Sequence, residues 1–96
     1  MNRDQTLKLL VEHKADLARR FGVAELALFG STVRGNERID SDIDILVSFD
    51  GPATSQRYFG VQFYLEDLLG RPIDLVTRKA LRRELAPHIE REAIRV

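Results

Sequence analysis

Two short apolar segments, each interrupted by a single aspartate, constrain this chain most. Ile43-Asp44-Ile45-Leu46-Val47-Ser48-Phe49 is the clearest strand signal, and Asp50-Gly51-Pro52 stops it. Pro72-Ile73-Asp74-Leu75-Val76-Thr77 is another, opened by a proline that suits a first strand position. Asp42 precedes Asp44 by two, so strand alternation sends both carboxylates out of one face. Charges placed this way repel each other and are costly beside a core without a counter-charge.

The rest of the chain supplies helices to cover such strands. Residues 4–20 read as an amphipathic helix, with Leu7, Leu10, Val11, Leu17 and Phe21 at helical spacing and Gly22 as a C-terminal cap. Ala24 to Phe29 is a short strand ending abruptly at Gly30-Ser31. Residues 31–41 form a turn or a single helical turn, with Gly35 and Asn36 as breakers. Residues 55–69 are helical and end at Gly70; residues 78–93 are helical with a break at Pro87. The order predicts one α/β (α+β) domain over 1–96: a small mixed sheet of three to four strands flanked by helices.

Composition narrows the partners. Fifteen basic residues balance fifteen acidic ones, so no global basic excess favours a nucleic acid backbone. Without cysteine the chain has no disulfide, thiolate–zinc site or thiol nucleophile. No apolar run is long enough for a membrane span, and a charged N-terminus gives no secretory signal; a cytoplasmic protein is the expectation.

A divalent cation answers the aspartate problem. Mg²⁺ takes oxygen ligands and commonly binds through one or two carboxylates plus substrate phosphates. If the strand of Asp74 neighbours that of Asp44, the three aspartates suit two metals held ~3.5–4 Å apart. Ion pairing of Asp44 or Asp74 to Arg34 or Arg71 is the structural alternative. Gly30 lets the chain turn sharply and a phosphate approach the backbone, and Ser31 adds a hydroxyl at the start of a helical turn. Ten residues, Thr32 to Ser41, separate Gly-Ser from Asp-x-Asp.

Gly30-Ser31-Thr32-Val33-Arg34-Gly35, followed by Ser41-Asp42-Ile43-Asp44-Ile45-Leu46-Val47, resembles the signature of the minimal nucleotidyltransferases (MNT), in the DNA polymerase β-like superfamily. Gly70-Arg71-Pro72-Ile73-Asp74-Leu75-Val76-Thr77 is similar to that family's strand with the third carboxylate. Val33 stands where family members often carry alanine, a conservative departure. The resemblance implies that Gly30 and Ser31 hold the phosphates of ATP, and that Asp42 and Asp44 bind two Mg²⁺ ions. Asp74 would complete one metal site and help deprotonate the acceptor hydroxyl. Arg34 would meet a phosphate or a carboxylate, or form a structural salt bridge.

Substrate choice follows from what accompanies the core. Nucleotidyltransferases acting on antibiotics, tRNA or DNA carry a further domain or subunit for the acceptor, whereas these 96 residues read as the catalytic core alone. A protein partner is the simplest source of the acceptor. The resemblance implies an antitoxin of a HEPN/MNT module that adenylylates a tyrosine of a HEPN-domain toxin in a hetero-oligomer. The alternatives are a non-catalytic antitoxin acting by occlusion and the catalytic subunit of a small-molecule nucleotidyltransferase.

Other residues have blander expectations. His13 and His88 are expected to be solvated, Tyr58 and Tyr64 to be packing residues, and Lys79, Arg82 and Arg83 to line a solvated helix face. At ~100° per residue, Val61, Leu65 and Leu69 share the inward face of their helix with Tyr58, Tyr64 and Leu68. Phe59 and Phe63 lie opposite, as a protein contact or beneath the tail helices.

Overall fold

The computed structural model describes residues 2–35, 42–81 and 83–96. Helix α1 (Arg3–Phe21) leads into strand β1 (Val23–Phe29) and the single-turn helix α2 (Ser31–Arg34). Strand β2 (Ile43–Phe49), helix α3 (Ser55–Leu69) and strand β3 (Ile73–Thr77) follow. A 3₁₀ turn (Arg78–Ala80), helix α4 (Ala86–Glu92) and strand β4 (Ile94–Arg95) close the chain. Asn36 to Ser41 and Arg82 lie outside the described residues, so the expected breaker at Asn36 and the basic-face reading of Arg82 do too.

The helix ends follow from local chemistry. Asn2 accepts the Gln5 amide while the Gln5 side chain returns to the Asn2 N–H, a reciprocal capping box that starts α1. Thr54 caps α3 through the Arg57 amide. Both helices stop at glycines in the left-handed region, Gly22 and Gly70.

The sheet order is β3-β2-β1-β4, with β2 and β3 parallel and the other pairs antiparallel. Helix α3 makes the crossover that a parallel pair requires. Pro72, which has no N–H to donate, instead accepts the Ile43 amide through its carbonyl at 3.0 Å.

Alternation divides the strands between two faces. Ile43, Ile45 and Val47 of β2 join Leu26, Leu28 and Leu75 in the main core, where Leu10 and Leu17 of α1 and Val61, Leu65 and Leu69 of α3 meet them. The other face carries Ala27, Phe29 and Leu46, covered by Leu81, Ile89 and Ala93 of the tail. Asp44 and Leu46 are two apart on β2, so the aspartate stands on this second, thinly covered face.

The tail departs from the expected helix over 78–93. Pro87 sits in the first turn of α4, where a missing N–H costs nothing, and the chain then extends along β1. Ala27 pairs with Arg95 and Leu28 with Ile94, and the Val96 amide donates to the Leu26 carbonyl at 3.0 Å. The outer edge of β1 is thereby covered.

His13 is also not solvated. Packing of α1 on α3 makes it half-buried, with Nδ1 2.9 Å from the Tyr64 hydroxyl. That hydroxyl donates to the Asp16 carboxylate at 2.8 Å, and this bond holds the Asp16 carboxyl below its ordinary range. Tyr58 and Tyr64 pack as expected, and the Tyr58 hydroxyl donates to the Leu75 carbonyl at 2.6 Å. His88 is exposed.

Gly60 shows how closely α1 and α3 meet. A Cβ there would lie 2.4 Å from the Phe21 ring. Alanine in a helix interior ordinarily gains about 1 kcal/mol over glycine. Gly60→Ala is expected to lose about 1 kcal/mol net, because the ring must leave its packed position. Thermal unfolding checks this; a raised Tm would show that Phe21 moves aside without cost.

Candidate active site

The junction of β1 and α2 places glycine under two separate constraints. Gly30 adopts φ 78° and ψ −152°, a region open essentially to glycine alone. A Cβ at this position would stand 2.0 Å from Asp44 Oδ2. The turn is thus backed directly against the aspartate of the neighbouring strand. Its carbonyl accepts the Val33 and Arg34 amides at 3.1 and 3.3 Å, which winds α2, and Gly35 in the left-handed region ends it. Ser31 begins the helix half-buried, and Thr32 beneath it is buried.

Register brings the two strand aspartates together. Asp44 is the direct partner of Asp74 across the parallel β2–β3 pair and of Phe29 across β1. Asp44 is half-buried, while Asp74 and Asp42 are exposed. Burial pushes the Asp44 carboxyl up to about 6, assisted by a hydrogen bond and charge repulsion from Asp74 and by the charge of Asp42. Arg34 opposes the rise, so its positive charge reaches the site.

All six candidate residues fall at one end of one face. Asp44 and Asp74 touch, Gly30 abuts Asp44, and Ser31 and Arg34 follow on α2. Asp42, immediately before β2, contributes charge from the margin. Among the described residues no three carboxylates converge as a preassembled metal cluster. The pairing is therefore closer between Asp44 and Asp74 than the Asp-x-Asp spacing alone implies.

Arg34 makes an ion pair with Glu92 of α4 rather than with either aspartate. Sequence reasoning did not find Glu92: its only local signal is a turn-spaced histidine, His88, 4.0 Å away. A groove of about 490 Å³ lies elsewhere, between α1 and α3 beside Phe63. At the aspartate site Asp42 and Asp74 are exposed and Asp44 is half-buried.

The family model for the nucleotidyltransferase domain matches residues 10–96. The chain belongs to the nucleotidyltransferase family. It is 42% identical over 88 residues to the protein adenylyltransferase MntA of Thermococcus cleftensis, a match spanning 92% of this chain and 89% of that one. A solved structure described as a minimal nucleotidyltransferase superposes with a TM-score of 0.82 at 36% identity, covering 98% of this chain and 95% of its own. The complex of the tri-AMPylated HEPN toxin of Shewanella oneidensis with its MNT antitoxin shares the fold, with a TM-score of 0.60 and 20% identity. That match covers 98% of this chain and 67% of the other. Gly30, the aspartates and the expected mixed sheet thus sit in a nucleotidyltransferase fold. No helix among the described residues is long and apolar enough to cross a membrane.

Proposed function

We propose that this nucleotidyltransferase is a protein adenylyltransferase and an antitoxin, moving AMP from ATP to a tyrosine hydroxyl of a HEPN-domain toxin and releasing pyrophosphate. The observation that carries the reading is the Asp44–Asp74 carboxyl pair, set across two parallel strands and backed against the Gly30 turn. Nothing in an apolar strand face calls for two touching carboxylates, and two carboxylates that repel each other are poised to accept a cation between them.

The residues fit Mg²⁺. Asp44 and Asp74 offer hard oxygen donors, and Asp42 adds a third from the margin. Bound there, the metal would neutralise phosphate charge and orient the reacting oxygens. The chain's own contribution is positional. Gly30 leaves the backbone open to the phosphates, and Ser31 supplies a hydroxyl donor at the start of α2. Arg34 adds positive charge at the rim. Asp74, the more exposed member of the pair, accepts the proton of the approaching hydroxyl.

The balanced charge of the chain supports a protein acceptor, supplied by another chain, over a nucleic acid one. Phe59 and Phe63, stacked with ring centres 6.3 Å apart and about half exposed, give α3 an apolar surface for that chain. The tail leaves them uncovered. Replacing both with alanine is expected to move Tm by less than about 3 °C and to weaken toxin binding about tenfold or more in pull-down titrations. A large fall in Tm would make them core residues instead.

Isotope position tests the reaction class. Label in the α-phosphate of ATP is expected to pass to the HEPN protein when both proteins and Mg²⁺ are present, while label in the γ-phosphate stays in released pyrophosphate. Transfer of γ-label would make this a kinase, and transfer of neither, with the toxin still neutralised, would favour occlusion.

A further inference from the structure

The ion pair between Arg34 and Glu92 joins residues 58 apart in the chain. Its two members differ in setting: the Glu92 side chain is 13% exposed and that of Arg34 51%. The acid is thus the fixed partner and the base the presented one. Glu92 is delivered by α4, whose Ile89 packs on Phe29 and Leu46 with Ala93 beside it. That is the sheet face carrying Asp44, two residues from Leu46 on the same strand.

Arg34 has Glu92 as its ion-pair partner among the described residues, engaged at Nη1. It is the last residue of a helix only four residues long, and Gly35 ends that helix at once. A long arginine side chain on so short a support gains order from its ion-pair partner. Glu92 engages Nη1, one corner of a guanidinium that carries five donors in a rigid fork. Half the side chain still faces solvent, and its charge is felt at Asp44.

We propose that Glu92 is a positioning residue: it pins one corner of the Arg34 guanidinium so that the remaining donors face the phosphates of a nucleotide bound at Gly30 and the aspartates. The proposal rests on the nucleotidyl-transfer reading. With its arginine half exposed, the ion pair is partly screened and adds little to stability by itself. Preorganising a phosphate-binding arginine instead lowers the ordering cost of binding. Glu92 touches no reacting atom and acts only through Arg34. His88 Nε2 lies 4.0 Å from the other Glu92 oxygen.

The experiment is a double-variant cycle on the full chain, with MgATP affinity measured by calorimetry and KM and kcat measured with the HEPN partner. Glu92→Ala is expected to weaken MgATP binding and raise KM about tenfold, with kcat changed less than about twofold. Arg34→Ala should do at least as much, and the double variant should be no worse than Arg34→Ala. Glu92→Gln, which keeps an acceptor for Nη1, should recover most of the affinity. Unchanged affinity in Glu92→Ala, or effects that add in the double variant, would overturn the proposal. So would a fall in kcat and Tm that Glu92→Gln does not rescue, since that marks a structural role. A wild-type chain that binds no MgATP would overturn the nucleotidyl-transfer reading itself.

Discussion

Asp44→Asn is expected to reduce AMP transfer by at least about a thousandfold while raising, not lowering, the thermal stability of the metal-free protein. Both effects come from the same placement. Asp44 is the carboxylate at which the Gly30 turn, the partner strand and the charge of Asp42 converge. Asparagine keeps the shape and removes the charge that a cation would neutralise. In chelator, the same charge is a cost to the fold. The Asp44 carboxyl is raised to about 6 in the folded state against an ordinary 3.8, so the folded state binds its proton more tightly than the unfolded state. The penalty is therefore full above about pH 6 and absent below about pH 3.8. The Tm advantage of Asp44→Asn should be a few degrees near pH 8, about 2–5 °C, and should shrink as the pH falls. A destabilised variant at pH 8 would contradict the repulsion argument, and an active one would remove Asp44 from the chemistry.

The aspartates were legible in the sequence because each breaks an apolar run that has no local reason to carry a charge. Their direct pairing was not, since register between β2 and β3 is set by α3 packing and by the Ile43 amide bonding to Pro72, both tertiary events. The helices α1 and α3 were readable within about one residue, because capping residues and left-handed glycines mark their ends. Strand β4 was not readable: two residues cannot show a period of two, and Ile94 and Arg95 extend only because the edge of β1 is open to them. His13 was misjudged for a related reason. Its charged neighbours in sequence suggest solvent, but Tyr64 meets it from a helix 51 residues away. Glu92 was invisible on the same grounds, since its partner lies on the far side of two strands and a helix in the chain order.

Gly30→Ala is expected to be the most damaging single-methyl substitution. Two independent costs add there. The backbone at φ 78° and ψ −152° admits a side chain only with strain of order 1–3 kcal/mol. The new methyl would also overlap Asp44 Oδ2, at 2.0 Å in the present geometry, and overpacking of this kind costs about 1–3 kcal/mol more. Neither is easily relieved, because moving the turn disturbs α2 and moving Asp44 separates it from Asp74. The sum, about 3 kcal/mol or more, corresponds to a Tm lowered by at least about 10 °C in a domain of this size. Transfer should be lost even below the lowered Tm, because the phosphate turn and the aspartate pair would no longer abut. Gly35→Ala provides the control: its φ is also positive, at 75°, but a methyl there meets none of the described residues within 4 Å. It should cost only about 1 kcal/mol. Equal losses in the two variants would show that backbone strain alone decides, and that contact with Asp44 does not.

Mass spectrometry of the proposed HEPN-domain partner, after incubation with this chain, ATP and Mg²⁺, tests the account most directly. An AMP-sized mass increment on a tyrosine is predicted, absent without ATP and absent with Asp44→Asn in place of the wild-type chain. An unmodified partner that is nonetheless neutralised, equally by the wild type and by Asp44→Asn, would contradict it.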